Sequence, residues 1–96
     1  MEKANINPPI PWRIKVGDKI KFSATFTEDI RNEVYLILPT GKLTKVNFAK
    51  NLPANATVRA GTPLDLEITF ANPGTYILEI NAATGLAIIN RPIYVG

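Results

Sequence analysis

The last third of the chain, residues 64–95, alternates short apolar segments with turn residues and leaves no space for a helix between them. The segments read LDLEITF, ANPGTY, ILEI, NAATG and LAIINRPIYV in chain order. In the first segment, apolar and polar side chains alternate strictly, which is the period of a half-buried strand. This stretch therefore predicts strand, corner, strand, tight loop and strand, and with them an all-β domain.

The same spacing extends back to the start of the chain. Turn residues recur about every ten positions, which is typical of an antiparallel β-sandwich of about seven strands. Residues 28–32 are predicted as a polar connection, and VYLIL within 33–38 as a central strand covered on both faces. Residues 81–85 are predicted as a five-residue hairpin loop, and Pro92 indicates an edge or a bulge. Strands are predicted at 13–16, 19–26, 33–38, 43–48, 57–60, 64–70, 76–80 and 86–95.

Prolines dominate the first twelve residues. Pro8, Pro9 and Pro11 each fix φ and lack a backbone donor, so residues 1–12 are predicted as an extended lead-in or linker outside the strand ladders. Residues 13–96 then form the domain. The first twelve residues contain no apolar segment of the kind a signal peptide needs, and we expect the chain to be one module of a longer exported protein.

Composition excludes several kinds of chemistry. The chain has no cysteine and no histidine, so disulfides, thiolate nucleophiles and the commonest transition-metal ligands are missing. We therefore predict no enzyme activity and no cofactor. No apolar run approaches the roughly 20 residues that span a bilayer, so no membrane insertion is expected. The net charge of +3 is a mild cationic excess that by itself does not indicate nucleic-acid binding.

Two segments carry a resemblance to a known family. VGDKIKFSATF at 16–26 and NPGTYILEI at 72–80 resemble the second and penultimate strands of bacterial immunoglobulin-like domains. The resemblance implies an immunoglobulin-like sandwich with a structural corner made by Pro73, Gly74 and Tyr76, the tyrosine hydroxyl returning to the backbone. The last 22 residues also resemble immunoglobulin-like modules that accompany CAP-type domains in secreted bacterial proteins.

The basic residues of the first strands have predicted counter-charges. In an immunoglobulin-like topology strand 19–26 pairs with strand 64–70, which brings Lys19 and Lys21 opposite Asp65 and Glu67. Each opposite-charge pair of this kind contributes roughly 0.2–1 kcal/mol. We therefore expect a paired, solvated face and no nucleic-acid site. The same pairing argues against Asp65 and Glu67 acting as a glycosidase acid pair, which needs a cleft.

Three weaker patterns are also present. Glu28, Asp29 and Asn32 are a candidate calcium loop without the usual ligand spacing. Asn90 and Glu79 suggest an intramolecular Lys–Asn isopeptide bond, but Lys15, Lys19 and Lys21 share the outward phase. Asn55-Ala56-Thr57 matches the N-glycosylation pattern, which recurs by chance.

Exposed apolar residues are the remaining candidates for a functional surface. Ile77 is out of phase with its buried neighbours and is expected on the outer face, where Ile88 and Tyr35 would join it in a partner contact. Trp12 and Tyr94 are further candidates, although Trp12 is expected mainly to cover the open end of the sandwich.

The sequence thus predicts a non-catalytic, immunoglobulin-like structural or interaction module of a bacterial extracellular or cell-surface protein. It would act as a spacer or docking domain for a neighbouring domain of the same chain or for another protein. The alternative is a carbohydrate-binding module that stacks a cell-surface glycan on Trp12, Tyr35 or Tyr94.

Overall fold

Two sheets, antiparallel in all but one short pairing, face each other across one hydrophobic core in the computed structural model, which describes residues 4–47 and 56–96. The small sheet has the order β1-β3-β7, and the large sheet has the order β2-β9-β8-β4-β5, with β6 pairing on β4. The strands of the described residues are β1 (Ala4–Asn7), β2 (Arg13–Ile14), β3 (Lys19–Phe26), β4 (Ile30–Ile37), β5 (Leu43–Asn47), β6 (Thr57–Val58), β7 (Leu64–Thr69), β8 (Gly74–Ala82) and β9 (Ala87–Val95).

The predicted all-β class is confirmed, and the strand pattern follows the sequence closely. Strand β3 spans the predicted residues 19–26 and alternates exposed and buried side chains along its length. It pairs with β7 in antiparallel register, as expected, with Phe22 opposite Leu66. The apolar residues of both strands point into the core because a period of two places every second side chain on the same face. Strands β2 and β6, predicted at 13–16 and 57–60, have only two residues each, and β1 was not predicted as a strand.

The prolines near the N-terminus connect the two sheets, which corrects the prediction of a lead-in outside the ladders. Ala4–Asn7 pairs with β3 in the small sheet, and Arg13–Ile14 pairs in parallel with the end of β9 in the large sheet. Between them the chain crosses over, beginning at the cis Asn7–Pro8 bond, and Ile10 is buried in the core. Proline does not interrupt pairing here because all three prolines lie between the strands and none within them.

Strand β4 begins earlier than predicted. Ile30 and Asn32 are almost completely buried, so residues 30–32 belong to the strand and not to a polar connection. The strand is central but is not covered on both faces, since Tyr35 and Ile37 remain half exposed on the side away from the core. Strand β8 likewise extends to Ala82, which shortens the predicted loop at 81–85.

Pro92 lies where a missing donor costs nothing to the sheet. Tyr94 donates its backbone N–H to Trp12 O at 2.8 Å, on the edge of β9 away from β8. Alternate residues of a strand direct their N–H groups to the same side, so the position of Pro92 also faces this edge. Since β2 pairs only with Tyr94 and Val95, no described strand requires a donor from Pro92. The expectation of an edge position is confirmed.

The corner before β8 brings the backbone back over itself. Tyr76 is buried, and its hydroxyl donates a hydrogen bond to Asn72 O at 2.8 Å. Its ring packs edge-to-face on Phe70, with ring centroids 4.9 Å apart. Gly74 has a φ of 137°, and a Cβ built on it would lie 2.7 Å from Pro39 Cβ. Glycine is therefore required at this position both by the backbone conformation and by the close approach of Pro39.

Candidate interaction surface

The outer faces of the two sheets differ sharply in chemistry. On the small sheet, every side chain directed away from the core is polar or charged. These residues are Asn5, Asn7, Lys19, Lys21, Ser23, Thr25, Asp65, Glu67 and Thr69. Such alternation is what a face in contact with water requires. The outer face of the large sheet departs from this pattern.

The charges on the small sheet are paired only in part as the sequence indicated. Lys19 Nζ lies 2.8 Å from Glu67 Oε1, which confirms the predicted contact between the two strands. The partner expected for Asp65 is wrong, because its register position is Ser23, whose hydroxyl donates to Asp65 Oδ1 at 2.5 Å. Both side chains of the ion pair are about half exposed, so the pair contributes little to stability, on the order of 0.2–1 kcal/mol.

Four apolar residues lie side by side across the outer face of the large sheet. The register places Leu43 of β5 opposite Ile37 of β4, Ile37 opposite Ile77 of β8, and Ile77 opposite Pro92 of β9. Leu43 is 48% exposed, Pro92 is exposed, and the two isoleucines are partly buried but lie outside the core cluster. We call these four residues the apolar row. Neighbouring strands are about 4.8 Å apart, so the row is continuous.

The next row along the strands is polar. It consists of Lys45, Tyr35, Glu79 and Asn90, again opposite one another on β5, β4, β8 and β9. We call it the polar row. The Tyr35 ring forms its centre, with Lys45 Nζ lying 5.8 Å from the ring centroid, within reach of a cation–π contact.

Glu33, two residues before Tyr35 on β4, contacts both Tyr35 and Lys45. Lys45 Nζ lies 3.0 Å from one carboxylate oxygen of Glu33, and the Tyr35 hydroxyl donates to the other at 3.0 Å. The Lys45 hydrogen bond holds the pKa of Glu33 below its ordinary value despite the opposing effect of burial, and Glu33 in turn raises the pKa of Lys45. The Glu33 side chain is only 14% exposed, so this carboxylate is fixed in place beneath the lysine.

Two aromatic rings lie at the end of the same face, where β9 ends. Trp12 is 66% exposed and meets the ring of Tyr94 edge-on, with centroids 6.2 Å apart and an interplanar angle of 84°. The prediction that Trp12 covers the open end of the sandwich is therefore wrong. A shallow groove of about 440 Å³ lies beside the two rings, and Arg13, Gly74, Thr75, Val95 and Gly96 complete its lining.

The predicted partner-contact residues separate into two groups. Ile77, Tyr35, Tyr94 and Trp12 lie on or beside the outer face of the large sheet. Ile88 does not, because a bulge in the β8–β9 ladder turns it inward, where it packs against the core. Sequence reasoning missed Ile37, Leu43 and Pro92. Ile37 shares the phase of Tyr35, so the alternation within β4 carried the necessary signal.

The other predicted sites are not assembled among the described residues. Asn32 is buried in the core, and Asp29 Oδ1 accepts the backbone N–H of Ala60, so they do not form an open calcium loop with Glu28. In residues 4–47 and 56–96 no group of three acidic side chains converges on a metal-sized space. Glu79 and Asn90, which suggested an isopeptide bond, lie opposite each other in the strand register on the outer face.

Two further points concern the chain as a whole. Asn55 of the glycosylation pattern lies outside the described residues. The part of the chain that the structure describes contains no helix with the length and apolarity to cross a membrane.

Comparison with known proteins identifies the fold. No protein-family profile and no curated protein sequence matches the chain. Among solved structures, the filamin domain of Lin-41 is similar, with a TM-score of 0.57 and 15% sequence identity. The alignment covers 99% of this chain and 93% of that one. The chain therefore has the immunoglobulin-like β-sandwich fold.

Proposed function

We propose that the protein is a non-catalytic interaction module that docks through the outer face of the large sheet. The observation that carries this proposal is the contrast between the two outer faces of one molecule. The small sheet presents nine polar residues, whereas the large sheet presents, beside the polar row, the apolar row and two exposed aromatic rings. A face that only meets water has no need of aligned aliphatic side chains, and apolar patches on soluble domains commonly mark contact sites.

The path of the chain supports a spacer role within the same proposal. Ala4 pairs with Phe26 at one end of β3, whereas Gly96 lies beside Ile14 and Asp18, near the other end. The molecule measures 35 × 24 × 24 Å, which sets the scale of the separation that such a spacer would provide. We place it in an exported or cell-surface protein, a context supported by the resemblance of residues 16–26 and 72–80 to bacterial immunoglobulin-like domains.

A carbohydrate-binding role is the second candidate, and the exposure of Trp12 is the observation that favours it. Tyr94 stands nearly perpendicular to Trp12, so only one of the two rings can lie flat against a given sugar. Docking of a protein surface has the broader support, because it also accounts for the aliphatic residues of the apolar row, which offer no stacking platform.

Site-specific photocrosslinking tests the docking proposal. A benzophenone amino acid replaces Ile77 in one variant and Thr69 of the small sheet in the matched control, and the intact protein that carries this chain is irradiated in its own cells. Both positions lie on outer faces in strands of the described residues. We expect covalent adducts from position 77 and none from position 69. Absence of adducts at 77, or equal yields at both positions, would overturn the proposal.

A further inference from the structure

The apolar row and the polar row have a shared symmetry centred on β4. In the apolar row, Ile37 has an aliphatic neighbour on each side, Leu43 and Ile77. In the polar row, Tyr35 has a cation on one side and an anion on the other, Lys45 and Glu79. Reversing the order of the three strands therefore exchanges two aliphatic residues in the apolar row. In the polar row it exchanges a cation and an anion.

We infer that the outer face of the large sheet binds a second copy of this chain through a two-fold axis parallel to β4. Under this operation Leu43 lies over Ile77 of the other copy and Ile37 lies over its own counterpart. The same operation lays Lys45 over Glu79 of the other copy, twice, with the two Tyr35 rings between the charge pairs. A two-fold contact requires a self-complementary surface, and both rows satisfy that requirement with one axis. This inference rests on the proposed docking function and names its partner.

Existing contacts on this face are compatible with the second copy. Glu79 has no ion-pair partner among the described residues, so its carboxylate is available to a lysine from outside. Lys45 retains donors, because its ammonium group has three N–H bonds and its side chain is 55% exposed beside Glu33. Glu33 also lies on β4 and would approach its own counterpart, but Lys45 already neutralises it at 3.0 Å.

The area of the outer face of the large sheet indicates how strongly two copies would associate. Three overlapping strands and four rows of outward side chains cover roughly 400 Å² on each copy, from the usual strand and residue spacings. The total is below the roughly 1,200 Å² at which stable complexes begin, which places the contact in the weak class. For a contact of this weak class we expect self-association only at protein concentrations of about 0.1–1 mM.

Two charge-reversed variants test the inference by sedimentation of the purified 96-residue chain. Lys45→Glu leaves two anions on the polar row and Glu79→Lys leaves two cations, so each variant meets itself with like charges. We expect each to self-associate about tenfold more weakly than the parent chain at low salt, and a one-to-one mixture of the two to form the mixed dimer. Lys21→Glu, on the small sheet, makes the same change in net charge as Lys45→Glu and should associate like the parent.

The outcomes separate this inference from the docking proposal. A parent chain that stays monomeric up to about 1 mM, single variants that associate normally, or a mixture without the mixed dimer would each overturn the second copy as partner. None of these results bears on the photocrosslinking at position 77. There, an adduct with the mass of two copies supports both proposals, and an adduct with another polypeptide supports docking while overturning the inference.

Discussion

Single residues at the corner before β8 show how closely local conformation and packing are linked. Gly74 adopts a positive φ beneath Pro39, and two residues later the Tyr76 hydroxyl hydrogen-bonds Asn72 O. The resemblance in residues 72–80 pointed to this corner. It gave no indication of Pro39, because that residue is 35 positions away and comes close only through the pairing of β4 with β8.

Substituting alanine for Gly74 should therefore destabilise the fold much more than the same change at Gly41. Gly41 also has a positive φ, of 88°, but a Cβ there meets nothing within 4 Å. Both variants carry backbone strain of about 1–3 kcal/mol, and the clash with Pro39 adds to it only at Gly74. Urea unfolding of Gly74→Ala and Gly41→Ala measures the difference. Equal free-energy losses would show that Pro39 does not pack against the corner as described.

At the scale of elements, β4 and β5 hold a charged cluster whose protonation affects stability. Because Lys45 lowers the pKa of Glu33, the folded state favours the carboxylate over the acid. The resulting stabilisation is present above the ordinary pKa of 4.5 and is lost as the pH falls through the lowered value.

Removing the lysine should shift that titration. In Lys45→Met the largest cause of the lowered pKa is gone while the effect of burial remains, so the pKa of Glu33 should rise relative to the parent chain. NMR titration of the Glu33 carboxyl in dilute protein measures it, with Lys42→Met on the β4–β5 hairpin as control. A Glu33 pKa unchanged by Lys45→Met would contradict the hydrogen bond between the two side chains.

Most elements could be predicted from the sequence, because strict alternation determines both the strand and the face that is buried. Strand β3 is the clearest case. Prediction from alternation fails where burial depends on residues distant in sequence. Asn32, a polar residue enclosed by the core, is an example. Such prediction also fails at Ile88, since a bulge shifts the phase and no sequence pattern marks its position. The N-terminal prolines indicated a break in pairing, but not that the chain already pairs before them, in β1.

The candidate surface was predictable only in part. The phase of Ile77 identified its outward direction, but the apolar row exists only because three strand registers bring residues far apart in sequence into line. Register depends on the lengths of the turns and on the bulge, neither of which a single sequence specifies. For the same reason, the predicted ion pair at Lys19 was confirmed while the predicted partner of Asp65 was wrong.

The molecule as a whole has two populations of apolar residues. One fills the space between the sheets and stabilises the fold, and the other lies on the outer face of the large sheet, where we propose that it contacts a partner. The assignment depends on the claim that outward aliphatic side chains such as Ile77 contribute little to the stability of the isolated chain. Ile80, on the same strand, is completely buried between the sheets and is the matched comparison.

The most direct test is the free energy of unfolding of Ile77→Thr and Ile80→Thr, measured by urea denaturation at concentrations too low for self-association. Threonine is a β-branched residue that suits a strand, so only the loss of apolar packing and the burial of a hydroxyl differ. The account predicts a loss of less than about 1 kcal/mol for Ile77→Thr and of at least about 2 kcal/mol for Ile80→Thr. Equal losses for the two variants would show that the apolar row belongs to the fold and would contradict the claim that it is a docking surface.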